Sequence, residues 1–94
     1  IHFYLVGQNK PQRQMCILRE VMPAGSDTGK EMLLHEGEEG GVIIQGEIEL
    51  TVGDQVRLLG PGDAYYFESK TPHRFRNVGK QDAILVSANT PATF

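Results

Sequence analysis

The chain has 94 residues, enough for one domain with a single modest core and too few for two. Nine lysines and arginines stand against twelve aspartates and glutamates, and the resulting charge of -3 excludes a surface with general attraction for phosphate backbones, so this segment by itself is not expected to hold nucleic acid. No apolar run approaches the ~18 residues that span a bilayer, no signal-like N-terminus is present, and the single cysteine, Cys16, excludes an intrachain disulfide, so a soluble cytoplasmic domain is expected.

Eleven glycines and five prolines divide the chain into short pieces of strand character. Segments 1–6 (IHFYLV) and 15–21 (MCILREV) mix aliphatic, β-branched and aromatic residues as half-buried strands do. Cys16, between Met15 and Ile17, reads as a small hydrophobe packed in the second of them. Residues 22–29 (MPAGSDTG) read as a loop, followed by strands over 30–35, 41–52, 55–60, 64–68, 73–78 and 82–88. No ten-residue segment carries a helical stripe. An all-β fold of roughly eight or nine short antiparallel strands is expected, and its free edges call for closure as a small barrel or jelly roll. An immunoglobulin-like sandwich would compete, but the chain has no tryptophan and no cysteine pair. The start at Ile1, inside a β-like segment, is what a piece of a longer polypeptide would show.

Two turns can be read more closely. Ile48, Leu50 and Val52 share one strand face, and Val56 and Leu58 share one face of the next strand. Parity of these apolar positions predicts a three-residue loop, Gly53 to Gln55, that sets Val52 against Val56 and Leu50 against Leu58 and turns Glu47, Glu49 and Arg57 to water. The sequence GPGD at 60–63 reads as a type II turn, with Pro61 at its second position and Gly62 at its third.

The spacing His35-x3-Glu39-x6-Gly46, followed by Gly62-Asp63 and by Pro72-His73-x3-Asn77, resembles the two motifs of the cupin superfamily. The resemblance implies a double-stranded β-helix barrel in which His35, Glu39 and His73 point inward as candidate ligands of a divalent metal such as zinc, iron, nickel or manganese. The first motif departs from the usual His-x-His, because Leu33 stands on the face where a further imidazole would lie. The remaining three donors suit a facial triad for iron or a three-ligand zinc site, and the leucine leaves room for an organic ligand instead.

A longer resemblance runs through HEGEE (35–39), GEIELTV (46–52), PHRFRN (72–77) and SANTPATF (87–94), which together are similar to the C-terminal sensor of helix-turn-helix/cupin transcriptional regulators. That similarity implies a small-molecule effector, a homodimer, and DNA contact only through an N-terminal DNA-binding domain outside residues 1–94, with no membrane partner.

Individual residues refine this expectation. Glu36 and Glu38 read as a solvated turn, whereas Glu39, if it faces inward, calls for a metal, a histidinium, an arginine or a cationic ligand. A linear diamine would place ammonium heads on carboxylates and its methylene stem against aromatic faces. Tyr65 and Phe67 share one strand side and Tyr66 the other, so Tyr65 is either a pocket residue or core. His73, alternating with Phe75 and Asn77, should face inward, with Asn77 bonding a nearby backbone group. Arg74 and Arg76 should face outward, to solvent or to a dimer interface, and His2 carries no site role. Ser69, Ser87 and Cys16 lack the settings of catalytic nucleophiles, and GEEGG leads into a strand rather than a phosphate-binding helix.

The expected function is a ligand-sensing and dimerisation domain, not an enzyme, binding a polyamine or related amine at His35, Glu39, Tyr65 and His73. The alternative is a small metal-dependent cupin enzyme of dioxygenase or isomerase type, and a third reading is a dimerisation module whose barrel binds nothing.

Overall fold

The computed structural model describes residues 1–29 and 36–92. Among them run eight strands: β1 (His2–Leu5), β2 (Cys16–Met22), β3 (Glu38–Gln45), β4 (Ile48–Val52), β5 (Gln55–Leu59), β6 (Ala64–Glu68), β7 (His73–Arg76) and β8 (Ala83–Thr90). The described residues contain no helix, so the all-β expectation holds. The strand expected over 30–35, with Leu33 and His35, lies outside the described residues, as do the last two residues of the 87–94 motif.

Every pairing is antiparallel, and the strands form a five-stranded sheet, β1-β2-β8-β3-β6, and a three-stranded sheet, β5-β4-β7. Alternation decides which side chains meet between them. Met22, Ile43, Phe67, Ala83 and Leu85 of the first sheet pack with Ile48, Leu50 and Phe75 of the second to form the core. Each large apolar side chain so buried stabilises the fold by about 1.5–3 kcal/mol. Cys16 is fully buried, and that burial pushes its thiol pKa up, consistent with its reading as a small hydrophobe.

Two expected elements are corrected. The segment 41–52 is not one strand: β3 begins earlier, at Glu38, and ends at Gln45, after a register shift between Ile43 and Gln45 that leaves Ile44 facing outward. The chain then turns at Gly46 and enters the other sheet. Gly46 has φ +80°, and a Cβ there would lie 2.9 Å from the Ala83 Cα, so only glycine takes this corner against β8. Apolar residues flank the corner on both sides, which is why the hydrophobic pattern reads straight through it.

The β4–β5 hairpin is also different. Val52 pairs with Gln55 and Leu50 with Arg57, so Gly53-Asp54 is a two-residue turn. Gly53 has φ +59° and Asp54 does not have positive φ, the pattern of a type II′ turn with glycine first. Turn chemistry outweighs apolar parity here, and Val56 and Leu58 sit on the outer face, 54% and 57% exposed. The GPGD turn matches expectation: Gly62 has φ +86°, and the Asp63 N–H donates to the Gly60 carbonyl at 2.9 Å.

Residues 25–28 add to the smaller sheet along β7. The Thr28 N–H donates to the Phe75 carbonyl at 3.0 Å, the Asn77 N–H to the Ser26 carbonyl at 2.9 Å, and Asp27 bridges to Arg76. Arg74 grips the Asp27 carboxylate through Nε at 2.9 Å and through Nη2, while Arg76 reaches Asp27 at 3.7 Å and Glu49 at 3.3 Å. Both arginines do face outward, but into ion pairs within this chain rather than into open solvent. Asn77 has its expected structural role, donating from Nδ2 to the Met22 and Gln81 carbonyls at 2.8 Å each.

Candidate functional site

The site grows from two adjacent glycines on β3. Gly41 pairs with Tyr65 on one side and Ser87 on the other, and the Tyr65 ring lies across it: a Cβ on Gly41 would stand 2.5 Å from the tyrosine hydroxyl and 2.7 Å from the Val86 carbonyl oxygen. On the opposite face the Tyr66 ring covers Gly40, where a Cβ would come within 3.0 Å. Glycines thus make room for one aromatic ring on each face of the sheet, a cross-strand arrangement that secures both the glycines and the register. Tyr66, on the outer face, is 69% exposed, as the strand alternation requires.

Laid over Gly41, the Tyr65 hydroxyl donates to Glu39 Oε2 at 3.2 Å. Glu39 is partly buried on the inner face, between Phe67 and Asn89 in register. Burial first, and then the negative charge of Glu20, push its carboxyl up to about 7 against the lowering effect of the Tyr65 hydrogen bond. Burial and the same carboxylates also raise Tyr65, which keeps it a neutral hydrogen-bond donor.

Aromatic rings link Tyr65 on the larger sheet to His73 on the smaller one. Tyr65 stacks on Phe67 with ring centroids 5.7 Å apart and meets the edge of Phe75 at 5.4 Å; Phe67 in turn lies 4.7 Å from the His73 ring. His73 is fully buried, and its Nδ1 lies 2.8 Å from the Thr71 carbonyl. A carbonyl only accepts, so Nδ1 carries a proton.

Of the expected site residues, Glu39 and Tyr65 on the larger sheet and His73 on the smaller sheet face the interior between the two, bridged by Phe67, while Glu36 and Glu38 are exposed. His35 falls outside the described residues. Among the described residues no three histidine, cysteine, aspartate or glutamate side chains gather as a metal-holding group. Glu39 and His73 are nevertheless donor types that a divalent metal accepts, and Nδ1 anchoring of a ligand histidine is a common outer-shell arrangement.

The residue absent from the expected set is Glu20. Cys16, Leu18 and Met22 of β2 are buried, and Glu20 shares their inward face, with the Ser87 hydroxyl donating to its Oε2 at 2.5 Å. Burial raises its carboxyl pKa, and the Ser87 hydrogen bond opposes that shift. Period-two counting from Cys16 places Glu20 on this face.

A family model described as the cupin domain matches residues 18–89. The HTH-type transcriptional regulator PuuR of Escherichia coli (strain K12) is 37% identical over 90 residues, which are 96% of this chain and 48% of that protein. The chain spans about half the length of the curated relatives it matches. The cupin domain of an XRE family transcriptional regulator from Enterobacter cloacae has a TM-score of 0.83 at 20% identity, with 98% of this chain and 97% of that one covered. A cupin-superfamily sugar phosphate isomerase from Silicibacter pomeroyi has a TM-score of 0.80 at 18% identity, covering 96% and 59%. At such identities these two likenesses establish the fold, which a regulator and an enzyme share.

Proposed function

The chain belongs to the cupin domain family, and from that premise we propose that it is the ligand-sensing and dimerisation domain of a bacterial DNA-binding transcriptional regulator, with a polyamine or related amine as effector. The observation that carries this reading is Glu39, a carboxylate on the inner wall held by the Tyr65 hydroxyl beside an aromatic cluster. A carboxylate withdrawn from water is costly without a cation, and an ammonium group supplies one. The methylene stem of an amine fits against the faces of Tyr65 and Phe67. Identity of 37% across nearly the whole chain to a transcriptional regulator about twice as long supports the sensing role.

In this reading an N-terminal domain of the longer protein contacts DNA, and two copies of the cupin domain pair because operator half-sites mirror a twofold axis. The amine shifts that dimer between arrangements only as far as its affinities for them differ. The domain itself performs no reaction.

Titration with 1,4-diaminobutane and spermidine, followed by thermal unfolding, tests the proposal. Saturable binding is expected, with stabilisation of ~2.7 kcal/mol at a ligand concentration 100 times the dissociation constant. No shift with either amine would sink it.

A metal-dependent enzyme is the second reading, favoured by the Nδ1 anchoring of His73. Glu39 and His73, with His35, would hold zinc, iron, nickel or manganese, which would supply Lewis acidity. Metal analysis of chelator-free protein and of His73→Ala separates the two: stoichiometric metal lost in the variant supports the enzyme, and near-zero metal in both removes it.

A further inference from the structure

We infer that Glu20 is a second anchoring carboxylate beside Glu39 on the inner face of the larger sheet and sets the charge specificity of that site, selecting ligands with two separated cationic nitrogens over monoamines. The inference rests on the amine reading and names the residue that divides one class of amine from another.

Glu20 and Glu39 lie on β2 and β3, the two strands that flank β8. Glu20 is opposite Leu85 and Glu39 opposite Asn89, four residues apart along β8, or ~13 Å at a strand rise of ~3.3 Å per residue. Both side chains close that separation by leaning toward the row between them. Ser87, midway between Leu85 and Asn89 on the same face, holds Glu20 at 2.5 Å. Ser87 pairs with Gly41, and over Gly41 lies the Tyr65 hydroxyl that holds Glu39 at 3.2 Å. The carboxylates therefore converge from opposite sides on one row, Tyr65–Gly41–Ser87, whose middle residue has no side chain.

Both anchors are neutral hydroxyls. The ion pairs of arginine and lysine among the described residues are made with Asp27, Glu49 and Glu68, none of them with Glu20 or Glu39. Two like charges converging on one row oppose each other, and an ammonium at Glu39 alone leaves Glu20 unmatched. A diamine meets both at once. Phe67 lies opposite Glu39 in register and Tyr65 bonds it, so the alkyl chain of a monoamine is drawn to the Glu39 end.

Calorimetric titration of wild type, Glu20→Gln and Glu39→Gln with 1,4-diaminobutane and with butylamine tests this. Wild type is expected to bind the diamine at least about tenfold more tightly than butylamine, and Glu20→Gln to lose that advantage, its diamine affinity falling by a clearly larger factor than its butylamine affinity. Glu39→Gln should weaken both. Thermal melts establish that the variants fold, and Ser87→Ala, which keeps the carboxylate but removes its anchor, should weaken the diamine alone by a smaller factor. Equal affinity of wild type for the two amines, undiminished diamine binding by Glu20→Gln, or equal loss of both amines in that variant would overturn the role of Glu20 and leave the amine reading standing. Binding of neither amine by wild type would overturn both.

Discussion

Asp27 and Glu39 are carboxylates of one small domain with opposite surroundings. Asp27, on the outer side of the smaller sheet, accepts from Arg74, lies near Arg76 and takes the Gly29 N–H at 2.8 Å. The Arg74 hydrogen bond, ahead of the other contacts, holds its carboxyl well below the usual range. Glu39 meets a neutral hydroxyl and a second carboxylate nearby, and is pushed up to about 7. The first group's charge holds the 25–28 segment against β7, so it serves the fold. The second is charged at a cost that a bound cation, such as the proposed amine, can offset.

The comparison can be broken most severely at the glycine beneath Tyr65. Gly41→Val should destabilise the domain by about 1–3 kcal/mol, because the new Cβ meets both the tyrosine hydroxyl and the Val86 carbonyl, and it should abolish amine binding by displacing Tyr65 from Glu39. Denaturant melts and titration read the two effects separately.

Glu39→Gln should move stability and binding in opposite directions. The folded-state pKa of Glu39 lies above its unfolded value, so the stability its protonated form contributes is fully present below the ordinary carboxylate range, is lost as pH rises from there through about 7, and stays lost above it. The variant is therefore expected to be more stable than wild type at pH 8, by no more than about 3 kcal/mol, with the gap closing by pH 5, while amine affinity drops.

Asp27→Asn should show the reverse. A depressed carboxylate contributes stability above its unfolded pKa and loses it as pH falls through the folded value. The variant should melt a few degrees below wild type at pH 7, and the difference should shrink under acid. The smallest effect is expected on the outer face of β5, where Leu58→Thr should change stability by under about 0.5 kcal/mol. A loss of several kcal/mol would restore the register in which Leu58 faces Leu50.

Strand alternation and glycine spacing make most of the fold readable; the cupin motif spacing points to His35, Glu39 and His73, and alternation of the aromatics to Tyr65 as a pocket or core residue. The failures share a cause. At Gly46 the apolar pattern continues through a corner whose sharpness depends on Ala83, nearly forty positions away, and at Gly53 a local turn preference outweighs parity. Arg74 finds Asp27 across 47 positions, a pairing invisible to local pattern. Glu20 is legible in principle, because alternation from Cys16 places it inward. Its partner Ser87 is 67 positions distant and had been weighed only as a nucleophile.

A crystal structure of the domain grown with 1,4-diaminobutane tests the central claim most directly. The account expects the amine between the two sheets, with one nitrogen in hydrogen-bonding range of the Glu39 carboxylate and its carbon chain along Tyr65 and Phe67. A metal ion held by Glu39 and His73, or an amine seated only on the outer surface, would contradict it.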